Sequence, residues 1–167
     1  MLRKNGYTNP YDKNKICYNG QYYSQYFIDY TASLFGHSLE SNLGATAPII
    51  SYTHINIGHN NHGKAIGNID SIIASFVNKM AHNHKTLTLL LADHGHKTTS
   101  YSSTVDGRFE LFSPCLFMIL PYKVAQLLGK ERLDALVTNQ KRLLTTFDLH
   151  RALITLNDPG KSVLFDV

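Results

Sequence analysis

Apolar positions along the chain recur with two different periods, and the order in which those periods follow one another predicts alternating helices and strands. Over 22–35, Tyr23, Tyr26, Phe27, Tyr30 and Leu34 return every three or four residues, which lines one face of a helix, and Gly36 supplies a stop. The stretch 47–57 mixes Ile, Tyr and Thr after Pro48, between Gly44 and Gly58, and predicts a strand. Helical spacing returns with Ile66, Ile69, Ile72, Ile73, Phe76, Val77 and Met80. Residues 86–92 then form a continuous apolar run, the pattern of a strand buried on both faces. A second such run, 115–120, lies between Pro114 and Pro121. A helical pattern over 122–144 is interrupted at Gly129, and a last helix opens at Thr145, where Asp148 three residues on completes a capping box. Phe147, Leu149, Ala152, Leu153 and Leu156 form its apolar face.

Strands alternating with helices predict an α/β layer fold with a mostly parallel sheet. The first twenty residues carry Asn5, Gly6, Asn9, Pro10, Asp12, Asn14, Asn19 and Gly20 without a sustained period, and read as an irregular lead-in. Residues 1–14 are the part of it ahead of the domain, and 158–167 read as a tail; no linker interrupts the chain between them. Composition narrows the class. With 43% hydrophobic and 17% charged residues, the 167-residue chain is that of a globular domain, not of a disordered tail or a coiled coil. The net charge of +4 is spread, with no Lys/Arg run interleaved with aromatics, so no nucleic-acid partner is expected. The runs 89–92 and 115–120 are too short to span a membrane, and no charged-then-apolar leader opens the sequence. Cys17 and Cys115 form no Cys-x-x-Cys pair, which leaves either one bridge or two buried thiols, and no Asn-x-Ser/Thr site occurs.

Seven of the nine histidines fall between His54 and His96, a span that contains two predicted strand ends. Ligands of an open parallel sheet collect beyond the carboxyl ends of its strands, so polar residues directly after a buried strand are the candidates for chemistry. Asp93 and His94 close the run 86–92, and Gly95 is expected to free the backbone so that both side chains turn toward one ion. A carboxylate oxygen and an imidazole nitrogen suit zinc or manganese. A capping aspartate beside a packed histidine is the alternative reading. In 53–63, His54, His59 and His62 have loop spacing without the i, i+4 pairing of a helical zinc site. His82 and His84 sit where a helix should end, which suits them without any site, and His150 falls inside the last helix. Asp106-Gly107-Arg108-Phe109-Glu110 precedes the run 115–120. There, the Arg108 fork matches the oxygens of a phosphate or sulfate, with an ion pair to Asp106 or Glu110 as the alternative.

These motifs join into a pattern. Leu89-Leu90-Leu91-Ala92-Asp93-His94-Gly95, then Gly107-Arg108-Phe109-Glu110, Pro114 and Leu120-Pro121, then Thr146-Phe147-Asp148-Leu149, resembles the C-terminal half of a sulfatase-like domain of the alkaline phosphatase superfamily. The nearest resemblance is to the animal sulfatase-like family of unknown function. It extends to Cys17-Tyr18-Asn19-Gly20 before a tyrosine-rich helix and to His59 and Asp70, and it covers roughly residues 15–157. It implies a partial three-layer α/β fold and metal-assisted hydrolysis of phosphate or sulfate esters by a Thr, Ser or formylglycine nucleophile. By position, Asp93 and His94 would ligate one divalent ion, zinc or manganese, and His59 a second ion or the ester oxygens. Arg108 would hold the anion. The implied partner is a small anionic ester or sulfated glycan, and the implied location is extracellular or secretory. Two departures bear on activity. Thr31 and Ser33 lie on a predicted helix, not at a strand-to-helix elbow, so no nucleophile is found, and Asn60 stands where the family has an acidic residue. The expectation is therefore a domain that needs a missing N-terminal half or partner chain to act, or else a non-catalytic module of the same fold that binds anionic glycans.

Overall fold

The structure, a computed structural model, describes residues 17–40, 49–59 and 65–156. The chain divides into two compact units, Met1–Pro121 and Tyr122–Val167.

The first unit opens with a hairpin where an irregular lead-in is expected. Strands β1 (Cys17–Tyr18) and β2 (Gln21–Tyr22) pair antiparallel. Asn19 and Gly20 between them take φ of 47° and 76°, the left-handed pair that a two-residue hairpin turn requires. Helix α1 spans Tyr23–Glu40 and runs through Gly36, the expected stop. Its inward face places Ile28 against helix α2 (Asp70–His82), where Ile69 and Met80 are also buried. Each such side chain contributes about 1.5–3 kcal/mol by leaving water, and with Ala65 these residues are the fully buried apolar core of the described residues. A short 3-10 turn, Ala65–Ile69, leads into α2, and Lys79 and His82 in the last turn of α2 favour its negative end.

Strand β3 (Thr88–Leu91) and strand β4 (Leu116–Ile119) occupy the two apolar runs. They pair antiparallel, Thr88 opposite Ile119 and Leu91 opposite Leu116, and both described sheets are two-stranded. A mostly parallel sheet is not shown among the described residues. Of the strand expected over 47–57, residues 47–48 lie outside the described residues, and 49–56 has no regular secondary structure, because no described strand lies beside it to share a ladder. Ile50 there is 96% exposed. Among the described residues no further strand pairs with β3 or β4, and although α2 touches β4, Leu91 and Phe117 remain 58% and 63% exposed. The sequence is apolar enough for burial on both faces, but only part of that burial is realised. Between β3 and β4, the segment Asp106–Glu110, to which the sequence pattern assigns no element, lies in helix α3 (Val105–Phe112), capped by the Thr104 hydroxyl, which accepts the Gly107 N–H at 3.0 Å.

The second unit contains α4 (Tyr122–Asn139), broken at Gly129 with φ 79° and ψ 167°, and α5 (Thr146–Thr155). Both features follow the pattern of the sequence. The capping box at α5 is complete: Thr145 Oγ1 accepts from the Asp148 N–H, and the Asp148 carboxylate accepts from the Thr145 N–H at 2.7 Å. These bonds hold the Asp148 carboxyl below its ordinary pKa, the Thr145 hydroxyl first among them. No helix of the described residues is long and apolar enough to cross a membrane.

Candidate functional site

The chemistry collects where β3 ends. Asp93 and His94 follow the strand, and the His94 N–H donates to Asp93 Oδ1 at 2.9 Å. That backbone bond is the main reason the Asp93 carboxyl lies below its ordinary pKa; burial opposes it, and the neighbouring imidazoles of His94 and, least, His59 would add to the lowering when protonated. His94 Nδ1 lies 2.7 Å from the Gly95 carbonyl. A carbonyl only accepts, so Nδ1 carries the proton and Nε2 is left with a lone pair. That Nε2 faces Asp93 Oδ2 at 3.5 Å. A carboxylate oxygen and an imidazole nitrogen at this spacing can share a cation, either a proton, which makes an ion pair, or a metal ion.

His59 arrives from the other side of the sequence. It ends the 3-10 turn Ile57–His59, closed by its N–H on the Asn56 carbonyl at 3.1 Å. Its ring stands edge-on to that of His94, with centroids 6.0 Å apart. The three residues picked as metal ligands therefore converge on one locus. Among the described residues, no three His, Cys, Asp or Glu side chains are close enough to hold one ion together. The convergence thus supplies two facing donors and a neighbour, not a closed three-ligand site.

Gly95 does something the sequence reading missed. Its φ is not in the left-handed region, so backbone freedom is not what it provides. A Cβ there would lie 2.6 Å from the Glu110 carbonyl oxygen and 2.9 Å from Leu111 Cα, and the Gly95 N–H donates to the Leu111 carbonyl at 3.2 Å. Glycine lets the loop carrying Asp93 and His94 lie directly on the end of α3. At the start of that helix a Cβ on Gly107 would meet the Tyr101 carbonyl oxygen at 1.8 Å. Both glycines stand in the quoted motifs, but close backbone approach leaves no periodic signal in a sequence.

The remaining candidates separate from this locus. Arg108 Nη2 donates to the Ser103 carbonyl at 3.2 Å, and among the described residues no ion pair joins it to Asp106 or Glu110 and no bond joins it to Asp93, His94 or His59. His54 stacks on Tyr52, ring centroids 6.3 Å apart. His82 Nδ1 lies 2.7 Å from the Asn78 carbonyl on its own helix. His62 and Asn60 lie outside the described residues. Cys17 and Cys115 are both free and both exposed, where a bridge or buried thiols were the expectation. Thr31 and Ser33 lie within α1, as the sequence predicts, and Thr31 is buried at 8% exposure.

A family model described as a protein of unknown function, DUF229, matches residues 2–160, nearly the whole chain. No curated protein and no solved structure matches.

Proposed function

The chain belongs to the DUF229 family, a sulfatase-like family, and from that premise we propose that Asp93 and His94, with His59 beside them, are part of a divalent-metal site for hydrolysis of a phosphate or sulfate ester. The observation that carries this reading is the pair of facing donors. Asp93 Oδ2 and His94 Nε2 stand 3.5 Å apart. Two ligands of a tetrahedral zinc ion bound at ordinary lengths stand about 3.3 Å apart, so the spacing fits. The bond from His94 Nδ1–H to the Gly95 carbonyl is the kind of outer support that orients a ligating imidazole. An ion held there would stabilise the negative charge that develops as an ester bond breaks. Asp93 contributes an ionised carboxylate, held so by the His94 N–H. Arg108, bonded to a backbone carbonyl and, among the described residues, to no carboxylate, keeps guanidinium donors for an anionic substrate.

Catalysis further requires a nucleophile, and Thr31 does not fit that role: it is buried on α1, and its proton is committed to the Phe27 carbonyl at 2.9 Å. In this reading the nucleophile and the strands that would extend β3–β4 into a mostly parallel, alkaline-phosphatase-like sheet come from other residues of the protein or from a partner chain. The exposure of Leu91 and Phe117 on the sheet supports that need. A second reading, resting on the net charge of +4, takes these residues as a non-catalytic module that binds sulfated glycan. The distinguishing assay is turnover of aryl phosphates and aryl sulfates with zinc or manganese. The first reading predicts turnover abolished by Asp93→Ala once the missing part is supplied. Turnover unchanged in that variant contradicts it. Chelation-resistant, salt-sensitive glycan binding without turnover establishes the second.

A further inference from the structure

The segment 49–59 brings His59 to His94 with no ladder to guide it. Its side chains at 49–54 are exposed, and Ile55 and Ile57 are only half-buried. Apolar contact of that kind is non-directional and does not by itself fix where a ring sits. Among the described residues, the hydrogen bond that ties 49–56 to another element is the one between Thr53 Oγ1 and Thr31 Oγ1, at 2.9 Å. Its direction is settled by α1. The single Thr31 hydroxyl proton goes to the Phe27 carbonyl at 2.9 Å, so Thr31 accepts and Thr53 donates. Thr31 is buried and anchored on an 18-residue helix, whereas Thr53 is exposed. The fixed partner is therefore Thr31, and the segment hangs from it.

We propose that Thr31 is a positioning residue for His59: its buried hydroxyl oxygen, accepting the Thr53 hydroxyl proton, sets the arm 49–59 so that the His59 ring faces His94. The inference rests on reading Asp93, His94 and His59 as one metal locus, and it assigns the Thr31 hydroxyl, which does not fit a nucleophile's role, to placement of that locus. Thr31→Val keeps the shape and removes the acceptor. The exposed Thr53 hydroxyl then bonds water, so the fold survives and only the arm is released.

The test compares the full chain with Thr31→Val and Thr31→Ser by nuclear Overhauser contacts between the His59 and His94 ring protons, without metal, and then by zinc titration. The expected result is a contact in the wild type, its loss in Thr31→Val with an unchanged unfolding midpoint, and its return in Thr31→Ser. Zinc affinity should fall about tenfold in Thr31→Val and recover in Thr31→Ser, the scale of an outer-support loss. A contact that persists in Thr31→Val, or one that Thr31→Ser fails to restore, overturns the proposal. A wild type that shows the contact and loses it in Thr31→Val, yet binds no zinc, removes the metal reading and leaves Thr31 as the anchor of the arm.

Discussion

The two sides of the candidate site are held in unlike ways. Asp93 and His94 sit on a strand end laddered to β4, continued by the Ala92 N–H on the Cys115 carbonyl at 3.1 Å and the Gly95 N–H on Leu111, with a glycine pressed against the α3 backbone. His59 ends a three-residue 3-10 turn on an arm that has no regular secondary structure over 49–56 and is tied to α1 by one side-chain hydrogen bond. Backbone bonds and close packing define the position of an atom, whereas a single exposed hydroxyl donor permits small displacements. The difference teaches that the Asp93–His94 pair is fixed by the backbone and that His59 is the adjustable neighbour, which under the proposed metal reading would join the ion by a small shift.

Substitutions on the rigid side should break the contrast with the largest effects. Gly107→Ala places a Cβ 1.8 Å from the Tyr101 carbonyl oxygen and should cost about 3 kcal/mol or more, read by urea unfolding. Stability within error of wild type would mean that α3 is not packed as described. Gly95→Ala meets backbone at 2.6 Å and should cost about 1–3 kcal/mol while displacing the Asp93–His94 loop. A drop in zinc affinity should accompany it, and unchanged zinc affinity would show that the loop does not depend on its seat against α3.

Acid sharpens the comparison next. The Asp93 carboxyl titrates below its ordinary value, so the bond it accepts from the His94 N–H is fully present above about pH 4 and is lost as pH falls through the lowered value. Asp148 has the same sign, and α5 should lose its cap in the same acid range. Amide exchange at His94 and Thr145, whose N–H groups the two carboxylates accept, checks both, and protection that rises on acidification would contradict them. On the adjustable arm the effect on stability should be smallest. Ile50→Ser changes a side chain already 96% exposed and should move stability by no more than about 0.5 kcal/mol in thermal unfolding. A larger loss would mean that the arm is bound to the fold more tightly than its exposure indicates.

What could be read in the sequence follows the same division. Periodicity gave α1, α2, β3, β4, the break at Gly129 and the Thr145–Asp148 capping box, because each is fixed by neighbours in sequence. The Asn19-Gly20 turn was equally legible as a hairpin signal and was read as loop, since strands two residues long carry no alternation. The strand expected over 47–57 has the right composition, but a strand exists only with a partner, and composition does not show whether one is present. The continuous apolar runs implied burial on both faces; the pairing that forms is antiparallel and half-covered. At the site, Asp93, His94 and His59 were legible from strand-end position and resemblance. The seat of Gly95 against Glu110 and the Thr53–Thr31 bond join residues distant in sequence, and neither leaves a trace in spacing.

The most direct measurement of the central claim is calorimetric zinc binding with elemental analysis, comparing the wild type with the Asp93→Ala, His94→Ala double variant. One zinc per chain in the wild type and none in the double variant is the predicted result. No bound zinc in the wild type, or equal binding by both chains, would show that the facing donors beyond β3 hold a proton and not a metal ion.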